Sequence, residues 1–107
     1  MNKNNIVIDF IATNAKTKRT ILVILYDLEF DGKNEYLIFL QDKLNSYLHI
    51  IETKEIQKYY ENTKNNRGYE IRIVFKYMPN EECIKFLDLV KDFLKNEDIE
   101  FSYEVFS

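Results

Sequence analysis

Residues 20 to 107 run through one pattern twice: an apolar strand, a breaker, an amphipathic helix and a second strand. The first copy reads TILVILYDLEF, DGKNEYLIFLQDKLN and SYLHIIET; the second reads GYEIRIVFKYM, PNEECIKFLDLVKDFLKNED and IEFSYEVF. Elements that each carry an apolar side must bury it against one another, so this order predicts a layered α+β domain. It specifies an architecture and no chemistry.

At 107 residues the chain fits a single domain, 1–107, with one core. Hydrophobic residues make up 46% and aromatics 15%, enough to exclude a disordered chain. Two Gly and one Pro argue against a glycine-rich phosphate cradle and against a loop-dominated fold. The longest apolar run, Ile21 to Tyr26, is far short of a membrane span, and MNKNNIVIDF has no signal-like apolar core. A soluble, cytoplasmic protein is the expectation. One cysteine, Cys83, excludes a disulfide framework and a Cys-based zinc cluster within one chain.

Residues 5 to 13 have strand composition and should form a hairpin with the strong strand at 20 to 28. Both alternating sets of that second strand are apolar, so it should be covered on both faces. Asp31 is placed to cap the first helix, whose stripe is Leu37, Leu40, Leu44 and Leu48. That helix is expected to end near Ser46, with a strand through Leu48 and Ile50. Residues 54 to 68 fit either a helical turn or a hairpin arm, ending in a loop at Gly68. Residues 69 to 77 alternate as a strand with one packed face. Asn80 can cap the second helix, with Cys83, Leu87, Val90 and Leu94, supported by Phe86 and Phe93, as its apolar side. The last strand spans Ile99 to Phe106. From residue 20 the order is βαββαβ, the ferredoxin-like sandwich, predicting about five antiparallel strands with two helices on one face. In that sandwich the strand at 20 to 28 already has two neighbours, so the amino-terminal strand competes for a place.

Asp27, Glu29 and Asp31 alternate at the exit of the strongest strand, where their carboxylates could converge on a divalent cation. In this stretch, ILVILYDLE, the chain resembles small CRISPR-associated endonucleases and VapD-type ribonucleases, ferredoxin-like domains whose first strand ends in an acid. The resemblance implies a metal-dependent ribonuclease using Asp27. Solvated acids explain the same three residues, and metal ligands are the alternative. His49 is the only histidine and reads as a structural strand residue, so a His-dependent triad or metal site has no second imidazole. Cys83, on the core stripe, reads as a buried thiol. Lys54, Lys58, Tyr59, Tyr60, Lys64, Arg67, Tyr69 and Arg72 interleave bases with aromatics as single-stranded nucleic-acid binders do. With three arginines in the chain and no RNP-type motif, a solvated hairpin is preferred.

Charge is unevenly spread around a net −3. Residues 80 to 107 hold eight acids, Glu81, Glu82, Asp88, Asp92, Glu97, Asp98, Glu100 and Glu104, against three lysines. Residues 53 to 76 hold six bases against three acids. Histidine, cysteine, glycine and arginine are too scarce for most catalytic constellations. The expectation is a non-enzymatic protein-binding module without a cofactor, a small acidic inhibitor of the toxin-immunity or phage-inhibitor kind. It would cover a basic site on another protein with those eight acids. The alternatives are the Asp27 nuclease and a ferredoxin-like ligand-sensing or scaffolding homodimer paired through an open sheet face.

Overall fold

A computed structural model describes residues 8–30, 35–59 and 67–106. Its strands are β1 (Phe10–Thr13), β2 (Thr20–Tyr26), β3 (Tyr69–Phe75) and β4 (Ile99–Val105), and its helices α1 (Glu35–Glu52), α2 (Ile56–Tyr59) and α3 (Glu81–Asn96). The strands lie side by side in chain order, β1-β2-β3-β4. β1 pairs antiparallel with β2, whereas β2 with β3 and β3 with β4 are parallel. A four-stranded mixed sheet replaces the expected ferredoxin-like set of about five antiparallel strands.

The difference has one source, the stretch SYLHIIET. It continues α1 instead of forming a strand. Tyr36, Leu40, Leu44, Tyr47 and Ile50 are buried at helical spacings of three and four. No Gly or Pro occurs between 33 and 67 to stop the helix at Ser46. With that strand gone, the described residues next join the sheet at β3, after a helical crossover, and a crossover of this kind delivers a parallel strand. The neighbour conflict disappears with it, since β1 takes one side of β2 and β3 the other. His49 is therefore an exposed helix residue, not a strand residue. Of residues 54 to 68, 56–59 form the short α2, with Ile56 fully buried, and 60–66 lie outside the described residues.

One core joins the helices to one sheet face. Leu22, Ile24 and Tyr26 of β2, Ile71, Ile73 and Phe75 of β3, and Ile99 and Phe101 of β4 meet the buried residues of α1 and of α3, which include Cys83, Leu87 and Leu94. In register, Leu22, Ile71 and Phe101 form one row across three strands, and Tyr26, Phe75 and Val105 another. The far face carries the intervening residues. There β2 buries Ile21 and Val23 but exposes Leu25, so the expected two-sided cover holds only along part of the strand. Beside them Glu70, only 6% exposed, accepts hydrogen bonds from Arg72 Nη2 (2.7 Å) and Nε (3.2 Å) and from Ser102 Oγ (3.2 Å).

Polar side chains fix the ends of these elements. Asn80 caps α3 as its sequence position predicts, accepting the Cys83 N–H at 2.8 Å. The same oxygen accepts the Tyr36 hydroxyl at 2.9 Å, tying the start of α1 to that of α3. The Tyr47 hydroxyl donates to the Val23 carbonyl (2.9 Å) and accepts the Asp9 N–H (3.0 Å), linking α1 to the β1–β2 edge. Tyr47→Phe takes this partner from the buried Val23 carbonyl and the part-buried Asp9 N–H, and a loss of about 1–2 kcal/mol is expected in urea unfolding. A neutral result would mean that water replaces the hydroxyl.

Candidate functional site

The carboxyl ends of β2 and β3 open onto a cleft of about 720 Å³ lined by Tyr26, Asp27, Leu28, Glu29, Glu35, Tyr36, Phe39 and Tyr77. Phe30, which does not itself line the cleft, turns back from the loop after β2 to pack on Tyr26 (5.4 Å between ring centroids), Tyr36 (4.8 Å) and Phe75 (6.0 Å), so that it supports two of the lining rings. That turn leaves Asp27, Leu28 and Glu29 exposed on the lip. Burial raises the Tyr36 phenol above its ordinary pKa, with the Asn80 hydrogen bond pulling the other way and electrostatic interaction with Cys83 and Glu82 also raising it. The cleft thus presents carboxylates and aromatic faces.

Of the three acids at the strand exit, Asp27 and Glu29 reach this cleft, and Glu35 joins them from α1. Asp31 lies outside the described residues. Among the described residues, no three His, Cys, Asp or Glu side chains are grouped so that they could hold a metal ion. His49 and Cys83 do not line the cleft. Cys83 is fully buried, as its place on the core stripe implies, and desolvation pushes its pKa up from 9.0 to about 11. The thiol therefore stays protonated in the folded chain. Alkylation by iodoacetamide at pH 8 is expected to be at least tenfold slower than in urea-unfolded protein, and equal rates would show the thiol to be accessible.

The eight carboxyl-terminal acids occupy α3, the turn after it and β4, and every one is exposed. Among the described residues only Glu100 of the eight is in an ion pair, with Arg19 Nε at 3.9 Å. They do not share a single face. Glu81, Glu82, Asp88 and Asp92 ride on α3, on the helix side of the sheet. Glu100 and Glu104 pair in register with Glu70 and Val74 and so project from the far side. Glu97 and Asp98 form the turn between them, Asp98 at φ 60. The acidic region consequently wraps around the β4 edge.

Two apolar residues beside these acids were not legible as surface. Leu89 is 70% exposed and Phe93 54% exposed, although Phe93 reads in the sequence as part of the core stripe. Together with Phe86 and Val90 they line a groove of about 250 Å³ against Gln41, Leu44, Asn45 and Leu48 of α1. The basic and aromatic stretch is dispersed by comparison. Tyr69 lies on the helix side of β3, Arg72 is tied to Glu70 and Ser102 on the far side, and Tyr60 and Lys64 lie outside the described residues.

Over residues 1–107 the chain belongs to a family of unknown function, DUF6572. No curated protein and no solved structure matches it significantly. Among the described residues, no helix is long and apolar enough to cross a membrane.

Proposed function

We propose that this chain is a non-catalytic protein-binding module, an acidic inhibitor that covers a basic site on another protein with α3, the following turn and β4. The observation that carries this reading is the run of exposed acids on that unit, seven of the eight without an ion-pair partner among the described residues. An excess of one sign, here eight acids against the exposed Lys85, Lys91 and Lys95, steers a partner of the other sign and selects against like-charged ones. The exposed Leu89 and Phe93 supply what charge alone lacks, apolar anchors within a polar rim.

The test is affinity capture from the source cell with the wild-type chain and with a variant carrying Glu81→Lys, Asp88→Lys and Asp92→Lys. A partner captured by the wild type should be lost by the variant and should dissociate as salt rises from 0.05 to about 0.5 M. Retention of every partner by the variant rejects the surface. The rival nuclease reading is read out separately, as RNA cleavage in magnesium or manganese abolished by Asp27→Ala.

A further inference from the structure

The centre of the acidic region is the backbone edge of β4. β4 ends the sheet, with no described strand beyond it. The Phe106 N–H donates to the Phe75 carbonyl at 2.7 Å, and Phe75 stands opposite Val105 in the parallel register. In such a ladder alternate residues face the neighbour, so the even-numbered residues of β4 turn their backbone groups toward β3. Phe101, Tyr103 and Val105 turn theirs outward. Edge strands ordinarily carry a lysine, a proline or a bulge that blocks further pairing. The β4 sequence IEFSYEV has no lysine or proline, and its register with β3 is unbroken over seven residues.

What it has instead is a charge rule. Two copies pairing antiparallel about Ser102 would set Glu100 of each opposite Glu104 of the other, a like-charge contact that disfavours self-pairing. We infer that β4 accepts an added strand from a basic partner, an extended segment with lysine or arginine at alternate positions facing Glu100 and Glu104 and apolar residues on the other side. The two sides differ for a physical reason. On the helix side β4 presents Ile99, Phe101 and Tyr103, against which apolar side chains can pack, whereas on the far side it presents Glu104 and Glu100, the latter loosely paired with Arg19 at 3.9 Å, where basic side chains are accepted. Backbone bonds would supply affinity, and the alternating charges register and direction of fit. This inference rests on the binding reading above and names its mode.

The probe is a fluorescent seven-residue peptide alternating lysine and valine, compared with a peptide of the same composition with its lysines grouped and with one alternating glutamate and valine. The alternating basic peptide should bind at least tenfold more tightly than either control. Tyr103→Pro removes one outward N–H without touching the β3 ladder and should weaken binding at least tenfold, whereas Tyr103→Ala keeps that N–H and should stay within threefold. Glu104→Lys should cost about fivefold. Hydrogen exchange on the wild-type chain gives a readout independent of any variant's folding: the Phe101, Tyr103 and Val105 amides should slow when the peptide is added. Equal binding of the grouped peptide, or no slowing of those amides at saturation, overturns strand addition. So does slowing that grows with protein concentration without peptide, since a second copy would then be the occupant. Source-cell capture that still depends on Glu81, Asp88 and Asp92 in any of these cases shows that only the mode has failed, not the binding reading.

Discussion

Phe75→Ala is expected to destabilise the chain by about 3–5 kcal/mol, the range for deleting a fully buried ring. Phe75 is 0% exposed at the carboxyl end of β3, the middle one of the three parallel strands, in register between Tyr26 and Val105. Its ring contacts those of Tyr26 (5.8 Å), Phe30 (6.0 Å) and Tyr103 (6.0 Å). The cavity would open under three elements at once, and none of them can close it alone, because Tyr26 and Tyr103 are held in strands. Phe30 is held only by a loop, so its support of the cleft-lining Tyr26 and Tyr36 should loosen as well. Phe75→Leu, closer in volume, should cost about 1–2 kcal/mol. Phe93→Ala is the internal control: with Phe93 54% exposed, a change within about 1 kcal/mol is expected. Urea unfolding of the three variants settles the order, and a Phe93 effect as large as that of Phe75 would mean that the groove residues belong to the core.

Arg72→Ala should have the next largest effect, about 2–3 kcal/mol, by leaving the Glu70 carboxylate with the Ser102 hydroxyl but no charge partner. The Glu70 side chain is 8% exposed and that of Arg72 35% exposed, so the guanidinium is partly solvated and the loss falls below that for a wholly buried pair. Glu70→Ala should cost less, since Arg72 can turn to water. Glu70→Leu combined with Arg72→Leu should recover most of the Arg72→Ala loss, because no buried charge then remains. A double-mutant cycle in urea gives the coupling directly. Additive single effects would mean that the 2.7 Å contact contributes nothing beyond its separate parts.

These two sites mark where sequence reasoning succeeds and where it stops. Phe75 is readable as core from the alternation of Tyr69, Ile71, Ile73 and Phe75, since a strand's period assigns its faces without knowledge of its neighbours. The Asn80 cap and the Cys83 stripe were legible for the same reason, being set within a few residues. Glu70 is not legible as buried: alternation puts it on the polar face beside Arg72, and only the register with β4, which brings Ser102 to the pair, completes the setting in which it is buried. SYLHIIET was ambiguous because β-branched and aromatic residues suit a strand, while Tyr47 and Ile50 also complete a helical stripe; tertiary packing decided. That single choice changed the pairing of three strands. At the candidate surface, the acids were visible as composition, but their division between two sides of β4 follows from the fold, as does the exposure of Leu89 and Phe93.

The order of the strands also governs how the chain reaches this state. Residues 69–75 find 99–105 across one helix, whereas 20–26 must find 69–75 across α1, α2 and the segment between them. Closing the longer loop costs more entropy before any contact repays it, and parallel pairing across long separations is slow. The β3–α3–β4 half should therefore assemble first, with β2 joining in the later, slower step. Until it does, β3 has one bare edge and β4 the other, and the acids on β4 already discourage two such intermediates from joining there.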